Sequence, residues 1–211
     1  MSIKTFLFNP FQENTYVLYD QSGECVVIDA GNYHPEENDQ LYRFFLENSL
    51  EPVRVINTHC HIDHIFGNGW FHKEYKIKTE AHKLDEPLLQ GSSEHAQIFG
   101  VTMKPPPAIG KYLNEGDRVV FGNSTLHCIH VPGHSPGSLA YYNEEEQFIL
   151  VGDVLFQGSI GRTDLPGGDY TTLIRSITDK LFTLDDEVVV YSGHGPATTI
   201  GNERQFNPFF S

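Results

Sequence analysis

Basic residues are scarce in this chain: 14 Lys and Arg stand against 28 Asp and Glu, a net charge of −14 over 211 residues. Nucleic-acid binding depends on Lys and Arg neutralising phosphates, so this balance counts against a DNA or RNA partner. Cysteine is also rare. Cys25, Cys60 and Cys128 are odd in number and widely spaced, which argues against a disulfide framework and suits reduced thiols in a cytoplasmic protein. No apolar run is long enough to span a bilayer, so no membrane partner is expected, and residues 1–20 carry no basic-then-apolar signal segment. Internal repeats and low-complexity stretches are missing too. At this length, with 39% hydrophobic residues, one domain over residues 1–211 with a sizeable core is expected.

Histidine, by contrast, is plentiful at 11 residues, and it is unevenly spread. The run Thr58-His59-Cys60-His61-Ile62-Asp63-His64 gathers three imidazoles and a carboxylate. Imidazole and carboxylate are ligands for zinc and related ions, and few other roles need so many at such close range. The run follows a Val- and Ile-bearing stretch, residues 52–58, of β character. It leads into residues 62–75, where Ile62, Ile65, Phe66, Trp70 and Phe71 have roughly helical spacing. The motif therefore belongs where a strand turns into a helix. Along an extended backbone His59 and His61 share one side, and Cys60 faces the other as a small buried thiol. Asp63 falls at the helix opening, where the macrodipole favours a carboxylate and free N–H groups accept a cap.

Three further segments repeat this plan. Residues 124–131 are strand-like and precede Pro132-Gly133-His134-Ser135-Pro136-Gly137. Residues 147–151 precede Gly152-Asp153, and residues 187–191 precede Ser192-Gly193-His194-Gly195-Pro196. In each case a β-rich run ends, glycine permits the turn, and a ligand-type residue follows. One rim of a sandwich would collect them all. Residues 3–8, 15–20 and 24–29 read as further strands, and residues 35–50 and 169–184 as amphipathic helices. His34, His72, His82, His95, His127 and His130 fall outside the pattern and read as structural. Asp29 is either a carboxylate that orients a ligand histidine or a turn residue before Gly31. Ser135 lacks the Gly-x-Ser-x-Gly setting of a nucleophile.

Taken together, these residues resemble the metallo-β-lactamase superfamily, and within it the glyoxalase II-like hydrolases. Gln12-Glu13-Asn14-Thr15-Tyr16 and Val27-Ile28-Asp29-Ala30-Gly31 fit as well, and Gly158-Ser159-Ile160-Gly161-Arg162-Thr163-Asp164 resembles the short bacterial glyoxalase II type. The resemblance implies an α/β fold, a four-layer αβ/βα sandwich with the active site along one edge. It implies two divalent metal ions, Zn2+ foremost and Fe as the other option. The first would take His59, His61 and His134, the second Asp63, His64 and His194, with Asp153 bridging. The implied activity is that of a binuclear metal-dependent hydrolase, in which hydroxide attacks a carbonyl and Asp63 and Asp153 are the catalytic carboxylates. A thiol with a pKa of ~8.5 can leave without prior protonation, and no residue announces itself as a proton donor to an amine. This favours a small-molecule thioester such as hydroxyacylglutathione over an amide. Arg162 either binds an anionic end of that substrate or pairs with Asp164. Only 17 residues follow His194, so the helical region with which longer glyoxalase II enzymes hold glutathione is not expected, nor is tight glutathione recognition. The alternative is a mononuclear iron persulfide dioxygenase acting on glutathione persulfide through His59, His134 and Asp153. A purely structural zinc is disfavoured, because such sites are closed and often rich in cysteine.

Overall fold

The computed structural model describes residues 1–210. A first sheet is built, in spatial order, from β1 (Ser2–Phe8), β2 (Glu13–Tyr19), β3 (Glu24–Ile28), β4 (Glu51–Ile56), β5 (Glu80–Ala81) and β6 (Lys111–Tyr112). The second uses β7 (Arg118–Phe121), β8 (Ser124–His130), β9 (Leu139–Asn143) and β10 (Phe148–Gly152). After a small hairpin of β11 (Leu155–Phe156) and β12 (Ser159–Ile160), it is completed by β13 (Val189–Ser192) and β14 (Thr198–Thr199). The helices are α1 (Pro35–Glu47), α2 (Asn68–Tyr75), α3 (Glu86–Ile98), α4 (Tyr170–Asp179) and α5 (Ile200–Phe206).

The period-2 alternation of the strands creates the layers. Leu18, Val26, Ile28 and Ile56 point between the sheets and meet Val119, Leu126, Leu139, Tyr141 and Leu150 of the second sheet. Their neighbours Val17, Val27 and Val55 point the other way, onto Leu41 and Phe45 of α1 and Phe71 of α2. On the far side Ala140, Ile149 and Val190 pack against Leu173 and Ile177 of α4 and Ile200 of α5. The result is the expected order of helix, sheet, sheet, helix. Each of these aliphatic side chains is fully buried, so truncating one to Ala costs about 2–5 kcal/mol.

Two parallel strand pairs build the rim. β3 pairs parallel to β4 with α1 between them, and β10 pairs parallel to β13 with α4 between them. Parallel pairing brings like ends together, and backbone bonds tie the exits to one another. Asp29 N–H donates to Ile56 O (3.0 Å), Leu139 N–H to Thr58 O (2.7 Å) and Gly193 N–H to Gly152 O (2.8 Å).

The helix expected over residues 62–75 is two pieces, a 3-10 turn at Ile62–His64 and then α2. The carbonyl of His64 accepts from Asn57 Nδ2 at 2.7 Å and so does not continue a helical ladder. The segment 169–184 likewise divides into α4 and a 3-10 turn at Leu181–Thr183. Asp169 caps α4 by accepting from Thr172 N–H at 2.7 Å. Sequence reasoning did not anticipate α3, whose Gly91, Ser92 and Ser93 dilute its apolar face. Among the described residues no helix is long and apolar enough to cross a membrane. All three cysteines are unpaired and buried.

Candidate metal centre

The loop after β4 is shaped by Asp29. This residue adopts a left-handed φ of +53° at the exit of β3, which turns its carboxylate beneath the loop. Thr58 donates to it twice, from N–H and from Oγ1, both at 2.6 Å. Nδ1 of His64 lies 3.0 Å from its second oxygen. Thr58 Oγ1 also lies 3.0 Å from His59 Nδ1. Both readings of Asp29 therefore hold: it makes the turn, and it orients His64 directly and His59 through Thr58. A tethered Nδ1 leaves Nε2 to face the rim. The same device recurs at His134, whose Nδ1 lies 2.8 Å from Arg162 O, and at His194, whose Nδ1 lies 3.2 Å from Gln12 O.

Glycine is required at two of the turns. Gly152 has φ +54°, and a Cβ there would strike Thr58 Oγ1, so Asp153 can stand beside the loop only after a glycine. Gly133 has φ +133°, and a Cβ there would strike the backbone of Leu173 in α4.

Seven side chains meet at the rim, in two sets. In one, His134 Nε2 lies 2.8 Å from His61 Nδ1 and 3.2 Å from His59 Nε2. In the other, His194 Nε2 lies 3.0 Å from Asp63 Oδ2, and His64 Nε2 lies 3.6 Å from the same oxygen. Asp153 stands between them. Its Oδ1 is 3.4 Å from His64 Nε2, and its Oδ2 is 3.7 Å from His134 Nε2 and 3.6 Å from His194 Nε2. Each set has the three-ligand character of a metal site. Asp29, His59 and His64 also lie close together, but Asp29 faces Nδ1 of His64 and is already engaged by Thr58, so it supports the ring from behind.

Burial and charge separate the sets. Burial, reinforced by the neighbouring rings, pushes His59 well below its ordinary pKa and His61 down to about 3. Burial would lower His64 too, but Asp63, Asp153 and Asp29 together hold it well above the usual value. For Asp63 and Asp153 burial opposes ionisation, yet His64 and the neighbouring histidines keep both carboxyls below the usual range.

Asp63 does not cap a helix as expected. The 3-10 turn that carries it starts with no side-chain cap, and its carboxylate is turned to His194 and His64. Cys60 points away from the rim into a cluster with Ile65, Ala81 and Leu89, and burial pushes its thiol up, away from thiolate chemistry. Arg162 lines the pocket over the centre and also pairs with Asp164 through Nε (2.6 Å) and NH2 (2.8 Å).

Three participants escaped sequence reasoning. Glu13 is fully buried, 4.0 Å from His64 Nδ1, and accepts from Thr15 Oγ1 at 2.7 Å. Burial raises its carboxyl well above the usual range. Its segment docks the His194 loop: Asn14 N–H donates to Gly193 O (2.7 Å) and Asn14 Nδ2 to Ser192 O (3.0 Å). Asp85 is buried beneath the two loops that carry His59, His61 and His134. No local signal marks it, because its partners lie 25, 50 and 52 residues away. His95 of α3 reaches the pocket from an element that sequence reasoning had not placed there. The pocket, of about 210 Å³, has Phe11, Phe99 and Leu165 as apolar walls and the rim side chains as its floor. A larger cavity of about 500 Å³ lies near Met1 and Glu146, away from the rim, with no histidine or cysteine in its lining.

Comparison with known proteins agrees with this geometry. The profile of the metallo-beta-lactamase superfamily matches residues 8–194. The hydroxyacylglutathione hydrolase GloC of Haemophilus influenzae is 33% identical, over 100% of this chain and 99% of its own length. The crystal structure of the BLEG-1 B3 metallo-beta-lactamase superposes with a TM-score of 0.91 at 35% identity, covering 100% of both chains. That of TTHA1623 in a di-iron-bound form gives 0.87 at 37% identity, covering 99% of this chain and 100% of the other. With seven His and Asp side chains on one rim of a four-layer sandwich and a profile match over most of its length, the chain belongs to the metallo-beta-lactamase superfamily.

Proposed function

We propose that this protein is a binuclear metal-dependent hydrolase of small thioesters, of which hydroxyacylglutathione is the reference case. The observation that carries the reading is the position of Asp153, within 3.4–3.7 Å of His64, His134 and His194 and so in reach of both ligand sets. The donor set fits divalent cations. Nε2 of His64 and Oδ1 of Asp153 are buried without a hydrogen-bond partner in the protein. Each such orphan costs about 1–3 kcal/mol unless something engages it, and these two atoms face each other on the rim. Asp29, Asp63 and Asp153 around His64 also concentrate negative charge that a cation would balance.

His59, His61 and His134 would hold one ion and Asp63, His64 and His194 the other, with Asp153 shared. When bound, such ions polarise a carbonyl oxygen and bring the pKa of water from ~15.7 towards ~7. The chain's own groups do the rest. The Nδ1 tethers from Asp29, Thr58, Arg162 O and Gln12 O fix the rings before substrate arrives. Phe11, Phe99 and Leu165 shield one side of the reacting carbonyl from water. Asp63 stays ionised beside His194 and can accept a proton there. Arg162, once released from Asp164, can meet an anionic end of the substrate. A thiolate leaves without a proton donor, which suits a rim whose carboxylates, Asp63 and Asp153, are held ionised. The likeness to GloC supports the thioester, and the di-iron form of TTHA1623 supports two ions while leaving zinc and iron both in play. The one-iron persulfide dioxygenase reading needs only His59, His134 and Asp153, and gives Asp63, His64 and His194 no task.

The test is to count metals per chain in purified protein and assay three substrates side by side. Lactoylglutathione hydrolysis by protein holding two ions is expected. Oxygen uptake with glutathione persulfide and one iron would replace this reading with the dioxygenase. Cleavage of a β-lactam but not the thioester would replace the substrate class.

A further inference from the structure

We infer that Asp85 is the positioning residue for the three-histidine half of the centre and for that half alone. The inference rests on the binuclear reading above. Asp85 is fully buried, at the end of the short turn Lys83–Asp85 that leads into α3. It makes three hydrogen bonds. Its Oδ2 accepts from Cys60 N–H at 2.9 Å and from Ser135 Oγ at 2.8 Å, and its Oδ1 accepts from Gly137 N–H at 2.6 Å. Cys60 lies between His59 and His61, and Ser135 follows His134. Every bond of this carboxylate therefore ends on one of the two loops that carry the three histidines: two on residues next to a histidine and one on Gly137, three residues after His134. None reaches Asp63, His64 or His194. The fit is close on all sides: a Cβ on Gly137 would lie 2.7 Å from Asp85 Cγ.

The chemistry requires a carboxylate. Two backbone N–H groups, Cys60 and Gly137, 77 positions apart in the chain, each donate to a different oxygen. An ionised carboxylate accepts at both; an amide accepts at one and donates at the other. With Asn at this position one of the two N–H groups would face an NH2 group, and one loop would move. Ser135 adds a third tie but can rotate its hydroxyl towards Ser138 Oγ, 2.8 Å away, so its loss matters less. Asp29, by contrast, serves both halves through His64 and Thr58.

The test separates the halves by removing one ligand set at a time. In a His194→Ala background only the three-histidine set remains complete. There Asp85→Asn is expected to weaken Zn2+ binding by about 10–100-fold, the usual cost of losing a group that orients ligands. In a His134→Ala background, where that set is already broken, Asp85→Asn should change the affinity of the remaining ion by less than about 3-fold. Affinities are read by competition with a chromophoric chelator, and far-UV circular dichroism confirms that each protein is folded. Ser135→Ala, which removes one of the three bonds, serves as a milder version should Asp85→Asn not fold, and should shift the first background in the same direction. Equal losses in both backgrounds, or none in the first, would overturn the inference. A wild-type protein that takes up one ion and no second would instead overturn the binuclear reading, and this inference with it.

Discussion

The two halves of the centre are built from different materials. Around His134 three imidazoles approach one another, and burial pushes His59 well below its ordinary pKa and His61 down to about 3. Around Asp63 carboxylates face imidazoles, and His64 and His194 are held above their ordinary values despite their burial. The first half offers neutral donors in a dry setting and the second offers charge. Asp153 stands between them and approaches His134 of the first and His64 and His194 of the second. The comparison teaches that the halves should respond differently to pH and to substitution, and that the shared carboxylate should matter most.

The largest effect is therefore expected at Asp153. Asp153→Ala should lower turnover by about 1,000-fold or more, since such an ion contributes several kcal/mol to the transition state and each 1.36 kcal/mol is tenfold. Metal content should fall in parallel. Full activity, or two retained ions, would break the idea that the halves share a ligand.

Asp29 comes next. Asp29→Asn removes an acceptor from Thr58 and the partner of His64 Nδ1. Both ions should weaken by about 10–100-fold, in contrast to the one-sided effect inferred for Asp85. Calorimetric titration of the metal-free protein distinguishes the two patterns.

The pH dependence sharpens the same contrast. His59 and His61 have folded values below the ordinary ~6.5, so the unfolded chain binds protons first and stability drops as pH falls from about 6.5 towards 3. The depressed Asp63 and Asp153 add to the loss below about 3.9, as their stabilisation disappears when pH falls through their folded values. His64 and His194 have raised folded values, so what they contribute is complete below ~6.5 and is lost as pH rises through those values. The raised carboxyl of Glu13 works the other way on the acid side, so the contrast is read in a Glu13→Gln background, where metal-free protein should be most stable near pH ~6.5, with Tm falling by about 2–4 °C for each kcal/mol lost on either side. A melting curve that only rises or only falls across this range would contradict the opposed charge states.

Arg162 should give the smallest effect. Its pairing with Asp164 is exposed, and such pairs contribute about 0–1 kcal/mol. Arg162→Ala should leave Tm unchanged within about 2 °C. If Arg162 meets an anionic substrate, KM rises while kcat holds; if it serves only Asp164, neither moves.

Much of this contrast was legible in the sequence, because it is carried by local patterns. The strands alternate with period 2, His134, Asp153 and His194 each follow a glycine at a strand end, and His59, His61, Asp63 and His64 share one short run, so a common rim could be read without coordinates, while the four layers came from the resemblance to the metallo-β-lactamase superfamily. The helix after His64 was misread in part: its apolar spacing continues through Ile65 and Phe66, but a side chain from the preceding strand end, Asn57, takes the carbonyl that would have extended it. α3 was missed because Gly91, Ser92 and Ser93 blur its amphipathic pattern. Glu13 and Asp85 were missed because burial is what gives them their roles, and the contacts that bury them come from distant parts of the chain.

Anomalous diffraction from crystals of the zinc-loaded protein, recorded on both sides of the zinc edge, tests the shared centre most directly. Two peaks are predicted in each chain, one among His59, His61 and His134 and one among Asp63, His64 and His194, both in contact with Asp153. A single peak, or a pair with Asp153 bound to neither, would contradict it.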